Sequence, residues 1–212
     1  MAKVRTAYFC ADCGNETPKW QGQCPACGAW NSLGLAPQAK VGRTPHATIT
    51  GATNSTPQTL SQVTDADEPR ITTGLAELDR VLGGGIVQGS VTLIGGDPGI
   101  GKSTLLLQAG DVLGRSETTL YVTGEESLRQ VSLRARRLGV AGEKLQLLME
   151  TSVETVIAQA QAIAAKVIII DSIQTMSIAE IESSPGSATQ VREAAALLVR
   201  FAKSSGTSVL II

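Results

Sequence analysis

From residue 69 onward the apolar positions change their period repeatedly, and each change marks an element. Leu75, Leu78 and Leu82 recur at helical spacing and stop at Gly83-Gly84-Gly85, a C-terminal breaker. Ser90-Val91-Thr92-Leu93-Ile94 is a short apolar run that reads as a buried strand, and Thr104 to Ala109 reads as the start of a helix. Thr118 to Thr123 predicts a second strand. The helix after it carries Arg129, Arg134, Arg136 and Arg137, basic residues at near-helical spacing that read as a solvated face. Glu154 to Ala165 predicts a further helix, followed by the β-branched run Lys166-Val167-Ile168-Ile169-Ile170. Ser187-Ala188-Thr189-Gln190 has the form of a capping box that opens a long helix ending near Gly206, before a last apolar strand over residues 207–212. Strands alternating with helices predict an α/β fold around a parallel sheet.

The first 68 residues lack this rhythm. Residues 34–68 are rich in Gly, Pro, Ser, Thr, Ala and Gln without an apolar period, which reads as a flexible linker. The chain's one histidine, His46, falls in it and reads as a bystander. Residues 1–33 hold Tyr8, Phe9, Trp20 and Trp30, four of six aromatics, and so stand apart as a small module; the two tryptophans read as its minimal core, with stacking on bases as the alternative. The domain reading is therefore 1–33, a zinc ribbon as argued next; 34–68, linker; and 69–212, α/β core.

All four cysteines lie in the first module, as Cys10-x-x-Cys13 and Cys24-x-x-Cys27, each pair followed by glycine (Gly14, Gly28). Two such knuckles are the pattern of a tetrathiolate Zn²⁺ site. With every ligand position filled by sulfur, the site is structural, and the metal supplies folding free energy that so short a segment cannot gain from burial.

Between the first core strand and its helix lies Gly96-Asp97-Pro98-Gly99-Ile100-Gly101-Lys102-Ser103, a full match to the G-x-x-x-x-G-K-[ST] phosphate-binding loop. Backbone N–H groups and the helix N-terminus are suited to phosphate, Lys102 to the β- and γ-oxygens, and Ser103 to Mg²⁺; Thr104 completes the loop. Asp171, at the end of the β-branched run, reads as the carboxylate that faces Ser103 across the Mg²⁺ shell, carried there on an adjacent strand. Glu125 and Glu126 follow the Thr118–Thr123 strand. They read either as a base that polarises the attacking water or as acids favoured at a helix start.

Net charge is −1 and the hydrophobic fraction 42%, so no global field points to nucleic acid or a membrane. No apolar run reaches the roughly 18 residues of a membrane helix, and no signal peptide pattern opens the chain; a cytoplasmic protein is expected. A buried apolar strand is an unusual place to stop, and the core reads as incomplete at Ile212.

Taken together, Cys10-x-x-Cys13, Pro18-Lys19-Trp20, Gly22, Cys24-Pro25-x-Cys27-Gly28-x-Trp30-Asn31, Gly74-x-x-Glu77-Leu78-Asp79-Arg80-Val81-Leu82-Gly83-Gly84-Gly85 and Gly95 to Thr104 resemble the bacterial RadA (Sms) family of DNA repair proteins. The likeness extends to Tyr121-Val122-x-Gly124-Glu125-Glu126-Ser127 and Asp171-Ser172-Ile173-Gln174-Thr175. It implies a RecA-like P-loop ATPase core preceded by the zinc ribbon, with ATP, Mg²⁺ and Zn²⁺ as ligands. It further implies hexameric rings on single-stranded DNA that drive branch migration of recombination intermediates, in company with a recombinase or replicative helicase. Within that family Glu125 looks like the catalytic base, with Glu126 as the alternative, and the stretch after Asp171 matches a DNA-facing loop. A family member would continue into a sensor segment, a Lys-Asn-Arg-Phe-Gly motif and a Lon-protease-like domain. None of these is in the 212 residues, so slow turnover is expected of them alone. The competing reading is a binding module, in which the ribbon docks DNA or a helicase and the nucleotide portion is inert. RecA-like enzymes of the clock-protein or replicative-helicase type share the Glu-Glu segment but are not expected to carry the zinc knuckles.

Overall fold

A computed structural model describes residues 8–35, 59 and 69–212. His46 and nearly all of the segment read as a linker lie outside the described residues.

The N-terminal module is a three-stranded antiparallel sheet in the order β2-β1-β3, with β1 at Tyr8–Cys10, β2 at Glu16–Thr17 and β3 at Leu33–Leu35. β3 therefore runs two residues into the stretch assigned to the linker, because Tyr8 pairs with Leu35 and Phe9 with Gly34. Each cysteine knuckle closes through a backbone hydrogen bond, Gly14 N–H to Cys10 C=O and Gly28 N–H to Cys24 C=O, both 2.9 Å. Those turns need φ of +73° and +75°, which glycine adopts without strain. The buried centre is Cys10, Cys24 and Leu33. Trp20 and Trp30 are not that centre: they are 56% and 72% exposed, because the cysteine cluster already fills the interior of so thin a module.

The rest of the described chain is built on five parallel strands in the order β6-β10-β9-β7-β8. These are Val91–Leu93 (β6), Thr119–Thr123 (β7), Leu145–Met149 (β8), Val167–Asp171 (β9) and Ser208–Ile211 (β10). Helices make the crossovers: α2 (Lys102–Ser116), α3 (Leu128–Arg137), α4 (Val153–Ala162) and α5 (Ala188–Ser205). Before them, α1 (Ala76–Val81) is flanked by the antiparallel pair β4 (Arg70–Ile71) and β5 (Ile86–Val87).

Period-two alternation sorts the strand side chains onto two faces. Val167 and Ile169 of β9, Tyr121 of β7 and Leu210 of β10 pack with Leu106, Leu107 and Leu113 of α2 and Val131 of α3. Ile168, Ile170, Leu120, Val122, Val209 and Ile211 face Val153 and Val156 of α4 and Ala194, Leu198 and Phe201 of α5. Strands buried on both sides explain why β9 reads as an uninterrupted β-branched run. Each such fully buried Val or Ile contributes about 1.5–3 kcal/mol.

Three expectations need correction. β6 is not a fully buried strand: among the described residues it pairs only with β10, and Leu93 is 69% exposed. β9 is not adjacent to β6, since β10 lies between them. The capping box at α5 is half formed. Ser187 Oγ accepts the Gln190 N–H at 3.3 Å, but the Gln190 amide turns inward, accepting from Ile178 N–H at 2.9 Å and donating to the carbonyls of Ile181 and Ser183, both at 2.9 Å. A buried amide satisfied by three loop groups has no capacity left for the cap. The complete box is instead at α3, where Ser127 and Gln130 satisfy one another's backbone N–H groups.

Candidate functional site

The phosphate loop leaves β6 and enters α2 through Gly101, whose φ of +100° makes it the helix N-cap. Gly101, Lys102, Ser103 and Thr104 present backbone N–H groups that have no acceptor among the described residues, at the positive end of a 15-residue helix. Such an end favours an anion. Lys102 Nζ donates to the carbonyls of Gly96 at 2.7 Å and Asp97 at 2.8 Å, so the ammonium lies over the loop. Asp97, Pro98, Gly99 and Ile100 are exposed at the rim.

Parallel strands deliver their C-terminal ends to one edge, and the other polar groups converge there. Ser103 Oγ donates to Asp171 Oδ1 at 3.1 Å, joining residues 68 apart in sequence. Asp171 Oδ2 accepts from the Tyr121 hydroxyl. Arg134 of α3 reaches the same point: its Nη2 donates to Tyr121 Oη at 3.1 Å and lies 3.7 Å from Asp171 Oδ2, while Nη1 donates to Glu126 Oε1 at 2.5 Å. The result is one continuous polar chain from Ser103 through Asp171, Tyr121 and Arg134 to Glu126. Burial and the adjacent Asp171 carboxylate hold the Tyr121 hydroxyl far above the ordinary phenol range, so it stays a proton donor.

Glu125 and Glu126 differ. Both precede the Ser127 N-cap and so lie outside the helix, which disfavours the reading that they serve only to open it. Glu126 is held by Arg134 and by its backbone N–H to Thr123 Oγ1 at 3.0 Å. Glu125 is exposed, and its carboxylate has no partner among the described residues. Beside them, Gly124 N–H donates to the Asp171 carbonyl at 3.2 Å, and a Cβ on Gly124 would sit 2.0 Å from Thr175 Oγ1. Only glycine lets the loop after β7 approach the turn after β9 this closely.

The stretch after Asp171 begins as a 3₁₀ turn, Ile173–Thr175, and then runs on through residues 176–186. Gln190 ties down residues 178–183, and Glu154 Oε1 accepts from Ala179 N–H at 3.1 Å. Glu180 and Glu182 are exposed on it.

In the N-terminal module the four cysteine sulfurs lie within 4.8 Å of one another, with Cys10 to Cys27 at 3.7 Å and Cys13 to Cys24 at 3.6 Å. Those spacings are far from a disulfide bond and match the edge of about 3.8 Å that four 2.3 Å Zn–S bonds generate in a tetrahedron. The Ser32 hydroxyl leads in drawing the Cys10 thiol down to about 6. Four sulfurs this close cannot all ionise without a cation among them, so the donor set fits zinc.

Tyr121 and Arg134 are the residues that sequence reasoning missed. Helical spacing groups Arg134 with a solvated face, and the exposure of Arg129, Arg136 and Arg137 supports that reading for them alone. Its signal was positional: Val131, Arg134, Ala135 and Leu138 share the i, i+3, i+4, i+7 stripe that faces the sheet.

Comparison with known proteins agrees with both modules. Residues 8–34 match a zinc-ribbon family described as a rubredoxin metal binding domain, and residues 71–149 match an ATPase family described as KaiC. The whole chain is 50% identical to the DNA repair protein RadA of Pseudomonas aeruginosa, 48% to that of Escherichia coli and 44% to that of Bacillus subtilis, covering 47% of each relative. It thus spans about half the length of the curated relatives it matches. Among solved structures, a KaiC-like protein from Pyrococcus horikoshii superposes with a TM-score of 0.56 at 23% identity, over 68% of this chain and 69% of that one, which supports the fold. A phosphate loop facing a strand-end aspartate in a RecA-like α/β core, a four-cysteine ribbon before it, and identity along the full 212 residues together place the chain in the RadA family of RecA-like ATPases.

Proposed function

We propose that the chain is the nucleotide-binding part of a DNA repair ATPase that works in the cytoplasm on single-stranded DNA. The observation that carries this reading is the meeting of Ser103 and Asp171 at 3.1 Å beside Lys102 and the open end of α2. That cluster offers phosphate N–H donors, a cation for the terminal phosphates, and a hydroxyl and a carboxylate for a divalent ion. ATP is the substrate. Gly96 to Thr104 would cradle its phosphates, and Lys102 would exchange the carbonyls of Gly96 and Asp97 for phosphate oxygens. Ser103 and Asp171 would hold Mg²⁺, which when bound neutralises charge on the transferred phosphoryl group. Glu125, unpaired and solvent-facing, is the base that orients the attacking water, and Glu126, engaged by Arg134, is not.

The name DNA repair protein RadA, shared by relatives matching the full chain, supports placing this ATPase in recombination, with branch migration of recombination intermediates by a homo-hexamer as its work. Recombinase or replicative helicase partners follow from the same likeness. We propose the domain division 1–33, 34–68 and 69–212 with its first boundary moved to Leu35, where the ribbon's last strand ends. Zn²⁺ on Cys10, Cys13, Cys24 and Cys27 is structural.

The test is binding of a fluorescent ATP analogue with and without Mg²⁺, together with ATP hydrolysis with and without single-stranded DNA, for the chain and for Lys102→Ala. Mg²⁺-dependent binding that Lys102→Ala abolishes supports the reading. Absence of nucleotide binding in the unmodified chain would overturn it, and would favour the ribbon as a binding module beside an inert core.

A further inference from the structure

The polar chain behind Asp171 has a purpose that the phosphate loop does not explain. A carboxylate has two oxygens and about four lone-pair sites, and left to itself it rotates freely between partners. Here the two oxygens are assigned different work. Oδ1 faces Ser103, and Oδ2 is taken by the Tyr121 hydroxyl with Arg134 Nη2 at 3.7 Å. We propose that Tyr121, backed by Arg134, is a positioning residue that fixes the Asp171 carboxylate so that only Oδ1 is turned toward Ser103 and the divalent ion.

The register of the sheet produces this arrangement. Tyr121 is paired with Ile169, two residues before Asp171 on β9, so Tyr121 and Asp171 are diagonal neighbours on the same face. That diagonal is about 7–8 Å between Cα atoms, within reach of a tyrosine and beyond a smaller hydroxyl residue. Tyr121 has no exposed surface, so its ring cannot swing out to solvent and release the carboxylate. Arg134 closes the other side. Its guanidinium is held by Glu126 at one nitrogen and donates to the Tyr121 oxygen from another, so the phenol accepts from Arg134 while it donates to Asp171. That polarity leaves Tyr121 a single orientation for its proton. Arg134 Nε is buried without a partner, a cost that a purely solvated surface arginine would avoid by turning outward. Groups that hold a metal ligand in place by hydrogen bonding typically change metal affinity by about 10–100-fold when removed.

This inference rests on the proposed Mg²⁺–ATP site, and its test separates the two. Mn²⁺ binding to the chain with a non-hydrolysable ATP analogue is followed by electron paramagnetic resonance. Affinity for the analogue in EDTA is measured in parallel. Tyr121→Phe keeps the ring and removes the hydroxyl; it should weaken Mn²⁺ binding about 10-fold and leave the EDTA affinity unchanged. Arg134→Lys, which keeps the charge but cannot serve Tyr121 and Glu126 together, should give a smaller loss of the same kind, and provides the test should Tyr121→Phe fold poorly by circular dichroism. Equal Mn²⁺ affinity in unmodified chain and folded variants overturns the positioning role alone. No Mn²⁺ binding in the unmodified chain overturns the nucleotide-site reading, and this inference with it.

Discussion

Removing the Asp111 carboxylate should destabilise the core far more than its visible salt bridge implies. Asp111 lies on the buried side of α2. Its Oδ1 accepts the backbone N–H groups of Ala141 and Gly142, each at 2.9 Å, and its Oδ2 accepts from Arg115 at 2.8 Å. The Arg115 side chain is 65% exposed against 8% for Asp111, so the ion pair is screened and its contribution falls below about 1 kcal/mol. The two N–H groups are different, because Asp111→Ala removes the one acceptor they share; that of exposed Ala141 can be hydrated, whereas that of half-buried Gly142 is less free to be. At about 1–3 kcal/mol for the Gly142 N–H and about 1 kcal/mol for the hydrogen bond lost at Ala141, the loss should be about 2–4 kcal/mol, against less than about 1 kcal/mol for Arg115→Ala. Burial opposes ionisation, but the Gly142 and Ala141 N–H groups and Arg115 outweigh it and hold the Asp111 carboxyl below its ordinary value of 3.8. A depressed carboxylate stabilises the fold above its unfolded pKa, and that contribution is lost as pH falls through the lower folded value. The difference between unmodified chain and Asp111→Ala should therefore be full at pH 7 and shrink only below about pH 4. Urea unfolding followed by far-ultraviolet circular dichroism is the assay, because the described helices all lie in residues 69–212. Tryptophan fluorescence would report the ribbon instead, where Trp20 and Trp30 are. Equal midpoint shifts for Asp111→Ala and Arg115→Ala would refute the reasoning.

Three further outcomes are expected. Gln190→Ala strips partners from Ile178, Ile181 and Ser183 and should cost about 1–3 kcal/mol; limited proteolysis should then cut within residues 178–186 faster than in the unmodified chain. Glu125→Gln should lower ATP turnover by about 100-fold or more without weakening nucleotide binding, whereas Glu126→Gln should lower it less; steady-state rates and binding of the same preparations decide between them. Removal of metal with a strong chelator should make all four cysteines titratable by a thiol reagent, and elemental analysis before chelation should find one zinc per chain, as a tetrathiolate site requires.

Much of this was legible in the chain because the signals were local. The phosphate loop, the cysteine knuckles and the β-branched run ending at Asp171 each declare themselves within a few residues, and α/β alternation supplies the sheet. β8 has only a weak signature because Leu145 to Met149 lies at the rim of the sheet and mixes Gln146 into a short apolar run. What was not local stayed hidden. Tyr121 reads as one more apolar residue in a buried strand until the register sets it diagonal to Asp171. Arg134 reads as one of several helix cations until the turn of α3 distinguishes its inward face. Gln190 reads as a capping residue, and only the path of residues 178–183 shows that its amide is needed elsewhere. The placement of β10 between β6 and β9 has no local signature at all.

That placement also bears on the order of folding. β10 comes last of the five strands in sequence, yet it is the partner of both β6 and β9, and β6 has no other partner in the described sheet. β7, β8 and β9 pair among themselves and can form as a unit with α2 packed on one face while β10 is still free, but no strand pairing holds β6 in register with them until β10 inserts. The contact between Ser103 and Asp171, 68 residues apart, instead depends on α2 docking on β7 and β9, and its loop closure can precede the pairing of β6. The docking of β10 should therefore fix the strand that leads into the phosphate loop after the helix that leaves it is already in place.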